Sequence, residues 1–63
     1  MPMAKIEGPP IDVDKKRVLV QEITDALEKA YQFPRQVYGV IIRENPPENV
    51  GSGGQLVLDK KKA

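Results

Sequence analysis

A chain of 63 residues with ten Lys and Arg against nine Asp and Glu holds one small domain at most. The balanced charge excludes nucleic acid as the main partner, because phosphate binding needs an excess of cations on one face, and Tyr31, Phe33 and Tyr38 are too few and scattered for base stacking. Cys and His are both absent, which excludes disulfides, thiolate and imidazole metal sites, and Ser-His or Cys-His catalysis; oligomerisation is the remaining way to stabilise so small a core.

Taken in order, the chain begins with Pro2 directly behind Met1. Methionine is usually clipped when the next residue is small, and the clipped chain would carry a free secondary amine at Pro2. An α-amino group has a reference pKa of ~7.7–8.0 against ~10.4 for lysine. Burial among apolar groups or nearby cations lowers it further, towards the optimum for a general base at neutral pH. The segment Pro2–Glu7 alternates Ala4 and Ile6 with Met3, Lys5 and Glu7, a short half-buried strand. Gly8-Pro9-Pro10 ends it, Asp12 is the candidate N-cap of the next element, and Asp14 adds negative charge near the helix start.

Residues Val13–Gln32 carry Leu19, Ile23, Ala26, Leu27 and Ala30 at helical spacing, with Val20 and Tyr31 at the border of the stripe. Phe33-Pro34 stops that helix, since the residue before proline is pushed out of the α region. Val37–Arg43, rich in β-branched residues and apolar on both faces, is predicted to be a central strand. Asn45–Asn49 reads as a rigid loop, Gly51-Ser52-Gly53-Gly54 as a turn, Gln55–Leu58 as a short closing strand and 59–63 as a Lys-rich tail. No lysine or helix follows the glycines, so a turn is favoured there over phosphate binding. Lys15-Lys16-Arg17 and the terminal lysines read as solvated charge. With no ~20-residue apolar run and no signal-peptide core, the chain reads as cytoplasmic.

Two strands joined by a long crossover helix predict an α/β protomer: a β-α-β unit with parallel strands and a short C-terminal hairpin, the domain occupying 1–58. One helix cannot cover both faces of such a sheet. The uncovered apolar face predicts a symmetric homo-oligomer, with sites at subunit boundaries.

Pro2, the helix with Glu22–Ala26 at its centre, Pro34, Val40-Ile41-Ile42 with Glu44, and Gly51-Ser52-Gly53-Gly54 together resemble the 4-oxalocrotonate (2-hydroxymuconate) tautomerase family over Pro2 to about Leu56. Glu7-Gly8-Pro9-Pro10 and the run Ile42-Arg43-Glu44-Asn45-Pro46-Pro47-Glu48-Asn49 look like a divergent subgroup. The resemblance implies β-α-β protomers that pair into a four-stranded sheet with two helices and then form hexamers, as trimers of dimers. It also implies an isomerase without cofactor, in which the N-terminal proline moves a proton between the dienol oxygen and a distant carbon of a 2-hydroxydienoate. In well-studied members of the family two arginines bind and polarise the dicarboxylate, and a phenylalanine supplies an apolar wall.

Only the proline carries over. The loop arginine is replaced by Pro10-Ile11-Asp12, the strand arginine by Gly39 and the phenylalanine by Val50. Arg43 shares a strand face with Gly39 by alternation, and Arg35 stands at the start of the strand. Either is a candidate to hold a substrate carboxylate across a subunit boundary. The structural alternative for Arg43 is a salt bridge with Glu44 or Glu48 of a neighbour; for Lys5, a possible depressor of the amine pKa, it is a solvated side chain. Dehalogenating relatives use a carboxylate near the C-terminal loop, where this chain has Ser52, with Glu48 nearby. The rival readings are a non-catalytic scaffold of the same fold, and a promiscuous tautomerase acting on phenylpyruvate-like enols.

Overall fold

A computed structural model describes residues 1–60. Strand β1 (Met3–Gly8) pairs in parallel with β2 (Gly39–Glu44), Met3 opposite Gly39 and Gly8 opposite Glu44. Helix α1 (Val13–Tyr31) forms the crossover. A two-stranded antiparallel hairpin, β3 (Gly51–Ser52) and β4 (Gln55–Leu56), follows. The fold is the β-α-β arrangement the sequence predicts.

Local chemistry sets the boundaries. Asp12 lies in extended conformation and its Oδ1 accepts the Lys15 N–H at 2.9 Å, satisfying one of the orphan donors at the helix start. At the other end Gln32 turns left-handed, with φ 62°, and donates its N–H to the Glu28 carbonyl at 2.8 Å; Pro34 then bars continuation. In the hairpin Gly53 (φ 61°) and Gly54 (φ 84°) both take positive φ, the pattern of a type I′ turn, which suits the twist of the flanking strands.

Some boundaries differ from the sequence reading. Arg35–Val37 forms a 3₁₀ turn, with the Val37 N–H on the Pro34 carbonyl at 3.1 Å, so β2 starts at Gly39. The closing strand stops at Leu56. Val57 donates to the Val50 carbonyl at 2.7 Å and begins a second 3₁₀ turn, Val57–Asp59, ahead of the expected tail; residues 61–63 of that tail lie outside the described residues. On α1 the half-buried positions are Lys16, Leu19, Ile23, Leu27 and Glu28, with Thr24 the one buried residue. Ala26 and Ala30, expected in the stripe, are exposed: they lie with Glu22, Asp25 and Lys29 on the flank of the half-buried stripe.

Ala4, Ile6, Val40 and Ile42 form the half-buried sheet face, and Met3, Lys5, Glu7, Ile41 and Arg43 are exposed on the other. No apolar side chain among the described residues is buried. The radius of gyration is 15.2 Å, where a compact chain of this length gives ~11 Å. The accessible surface is 5208 Å², against ~4,000 Å² for a compact monomer of this mass. The protomer alone is a fold without a closed core. No described helix is long and apolar enough to cross a membrane.

Candidate active site

Pro2 is half-buried, just ahead of β1. It has no N–H to give the sheet, but its carbonyl accepts the Gly39 N–H at 3.1 Å and so ties the amino terminus to the start of β2. Beside it an open cavity of about 400 Å³ is lined by Met1, Pro2, Phe33, Pro34 and Val37, all of them apolar. With Met1 attached, the Pro2 nitrogen is an amide whose lone pair is delocalised, and it has no basicity to use. Met1 itself is 91% exposed. Its removal would place a secondary amine at the edge of an apolar wall.

The sequence-predicted arginines occupy different ends of the protomer. Arg35 directly follows Pro34 of the cavity wall, but its Nη1 donates to Asp25 Oδ1 at 2.8 Å and Glu28 Oε1 at 2.9 Å. Those two hydrogen bonds, that to Asp25 contributing most, hold its pKa above the ordinary arginine value. Arg43 sits opposite Glu7 near the far end of the strand pair, its Nη1 3.8 Å from Glu7 Oε2 with both side chains exposed. From Pro2 to Glu7 the extended chain runs roughly 16 Å at ~3.3 Å per residue. One protomer therefore brings Arg35 to the Pro2 end and leaves Arg43 at the other.

That far end is tied by carboxylates. Glu44 Oε2 accepts the Ile11 N–H at 3.2 Å and pairs with Lys16 Nζ at 2.7 Å, pinning the loop before α1 to the end of β2. The Lys16 hydrogen bond, then that from Ile11, lowers the Glu44 pKa. A larger cavity, about 600 Å³, opens here between Pro9, Asn45, Pro47, Val50 and Val57. Its carboxylate, Glu7, already accepts from Asn45 Nδ2 at 2.9 Å. The smaller cavity at Pro2 is the better candidate, because it alone adjoins a group that can become a neutral-pH base.

The aromatic residues, scattered in sequence, are gathered in space. Tyr31 and Phe33 stack with ring centroids 6.3 Å apart, and Tyr31 and Tyr38 lie 6.5 Å apart. The Tyr38 hydroxyl accepts the Phe33 N–H at 2.8 Å and donates to the Phe33 carbonyl at 3.1 Å. Phe33 and Tyr38 escaped the sequence reading as site residues. The signal available was the short Phe33-Pro34 to Tyr38-Gly39 spacing, which returns the chain to the strand paired with Pro2.

The tautomerase family model, described as tautomerase enzyme, matches residues 2–60. The chain belongs to the tautomerase family. Among solved structures, it is 40% identical to DmpI from Archaeoglobus fulgidus, with 92% of this chain and all of that one covered and a TM-score of 0.85. Against a 4-oxalocrotonate tautomerase isozyme of Methylibium petroleiphilum the identity is 29%, the coverage 94% and 100%, and the TM-score 0.82. A heterohexameric 4-oxalocrotonate tautomerase from Chloroflexus aurantiacus shares the fold at 22% identity, 97% and 100% coverage and a TM-score of 0.87. No curated protein matches the sequence. Within this tautomerase frame, Gly39 holds a strand position where the sequence resemblance implies arginine. A Cβ there would lie 2.9 Å from Met3 Cε, so the Met3 side chain covers the space an arginine would leave from.

Proposed function

We propose that this tautomerase-family protein catalyses keto–enol proton transfer on a 2-hydroxydienoate or 2-oxo acid of the 2-hydroxymuconate kind, with Pro2 as general base once Met1 is removed. The neutral amine takes the proton from the enol oxygen, the oxygen becomes a carbonyl as the double bonds shift, and the resulting ammonium returns a proton to carbon. Atoms and charge balance, and no cofactor is needed. A cation at the carboxylate stabilises the negative charge that develops on the enolate. Arg43 of a neighbouring protomer is the leading candidate for that role, because its exposed 3.8 Å contact with Glu7 is easily exchanged for a substrate carboxylate. Arg35 is the second candidate, near Pro2 but engaged with Asp25 and Glu28. Functioning as a homo-oligomer, a hexamer by analogy with the family, belongs to the same reading. The observation that carries it is Pro2 at the rim of an apolar cavity in a chain of this family.

The test is ketonisation of 2-hydroxymuconate by protein whose Met1 removal is verified by mass. Turnover well above the buffer rate is expected. Pro2→Ala should lower it about 100-fold or more, the ordinary worth of a positioned base. An undiminished rate in Pro2→Ala would remove Pro2 from the mechanism.

A further inference from the structure

We propose that Glu7 sets how strongly Arg43 draws a substrate carboxylate, and that Asn45 is the residue that positions Glu7 for this task. This rests on the reading of Arg43 as the carboxylate-binding cation. Glu7 and Arg43 are cross-strand partners on the exposed face of β1 and β2. Neighbouring strands run ~4.8 Å apart, so the pairing itself brings the two side chains together. Yet Arg43 Nη1 stops 3.8 Å from Glu7 Oε2, beyond hydrogen-bonding distance. Arg35 shows the alternative. Its Nη1 donates to Asp25 at 2.8 Å and to Glu28 at 2.9 Å, and that guanidinium is committed. Arg43 is attracted to Glu7 without spending a donor on it.

Asn45 accounts for the gap. Its backbone N–H donates to the Gly8 carbonyl at 2.8 Å, which fixes the chain just past β2 beside the end of β1. From there its Nδ2 donates to Glu7 Oε1 at 2.9 Å. One carboxylate oxygen is thereby anchored to Asn45, and the bidentate pairing open to an arginine and a carboxylate needs both. The carboxylate next along the chain, Glu44, is taken by Lys16 and the Ile11 N–H. Glu7 is thus a negative charge close enough to weaken the pull of Arg43 on an incoming anion, but held too far away to occupy it. A substrate carboxylate can form the paired hydrogen bonds from which Glu7 is held back, so exchange favours the substrate.

The test follows binding of cis,cis-muconate, a dicarboxylate, to the full-length protein by NMR. Glu7→Gln keeps the side-chain length and an oxygen for Asn45 but removes the charge. It should tighten binding about threefold at low salt, within the range of an exposed ion pair. That gain over the parent should vanish at ~1 M salt, where the screening length falls to ~3 Å. Asn45→Ala frees the carboxylate to close on Arg43 and should weaken binding about threefold. The double variant should bind like Glu7→Gln alone, because Asn45 acts only through the Glu7 charge. A merely structural role would weaken binding in both single variants; that outcome, or no response to Glu7→Gln, overturns the proposal. Sedimentation checks assembly, and Asn45→Ala, beyond the strand face, reads the same contact should Glu7→Gln disturb it. Arg43→Gln should weaken binding at least about tenfold, the worth of a charged hydrogen bond. Binding unchanged in Arg43→Gln overturns this proposal together with the Arg43 reading, whereas a loss there without a response in Glu7→Gln overturns this proposal alone. The same pattern is expected in Pro2→Ala, so the general-base reading stands or falls separately.

Discussion

Ile41→Glu separates the protomer's own stability from its association. Ile41 lies on the exposed sheet face directly opposite Lys5, so a glutamate there gains a cross-strand partner worth ~0.2–1 kcal/mol and the two-stranded sheet is spared. The interface is not spared. Ile41 is 42% exposed in the protomer; with ~1.5–3 kcal/mol for complete burial of an isoleucine, covering the remainder contributes ~0.6–1.3 kcal/mol per subunit. Covering a carboxylate in its place costs several kcal/mol, which the exposed Lys5 offsets only in part. A net loss of ~3 kcal/mol per subunit weakens association by about a hundredfold for each subunit buried, since ~1.4 kcal/mol is a factor of ten. Sedimentation over a wide concentration range should show the parent as a stable oligomer and the variant dissociating. Thermal melts by circular dichroism should become strongly concentration-dependent in the variant, because an oligomer's Tm follows mass action. A variant that sediments and melts like the parent at every concentration would mean that the exposed face of β1 and β2 is not an interface.

Other consequences are local. Asp12→Ala removes the helix cap and should cost about 1 kcal/mol, lowering Tm by ~4–8 °C, with Asp12→Asn retaining most of the stability; differential scanning calorimetry distinguishes them. Glu44 has its folded pKa lowered by Lys16 and the Ile11 N–H, so its contribution is complete above the ordinary value of 4.5 and is lost as pH falls through the folded value. Glu44→Gln should therefore melt below the parent at neutral pH, with the gap closing in acid; a gap that persists unchanged in acid would assign the loss to packing.

The fold was legible because its signals are local. Alternation in Pro2–Glu7, the apolar spacing of Leu19, Ile23 and Leu27, the cap at Asp12, the stop at Pro34, and the paired glycines each act over a few residues and need no partner. The parallel pairing followed from the length of the crossover. Ala26 and Ala30 lie outside the covered stripe because helical spacing tells which side of a helix is apolar but not how wide a strip of that side the sheet covers. The closing strand was overextended at Val57 and Leu58 for a related reason: β-branched and apolar residues also suit a turn awaiting a partner surface. At the candidate site, Pro2 stands out through its place directly behind Met1 together with the strand, helix and glycine turn that follow it. The contact of the Tyr38 hydroxyl with the Phe33 backbone does not, because composition and periodicity do not encode a side chain meeting the chain five residues earlier.

The separation of Pro2 from Arg43 makes the proposed chemistry a property of the assembly. They lie at opposite ends of a parallel strand pair, roughly 16 Å apart along the chain at ~3.3 Å per residue. No arginine side chain spans that distance along its own strand, so a site containing both groups draws them from different protomers. Inactive Pro2→Ala and Arg43→Gln proteins, dissociated and reassembled together in equal amounts, should then recover about a quarter of parental turnover. Half the sites would have an intact proline, and half of those would face an intact arginine, if subunits mix at random in a symmetric oligomer. Were both groups required from one protomer, every mixed site would lack one and no activity would return. A mixed oligomer verified by native mass spectrometry yet inactive would refute the shared site, whereas an Arg43→Gln protein active on its own would remove Arg43 from the site and leave Arg35, already beside the cavity wall, as the cation to examine.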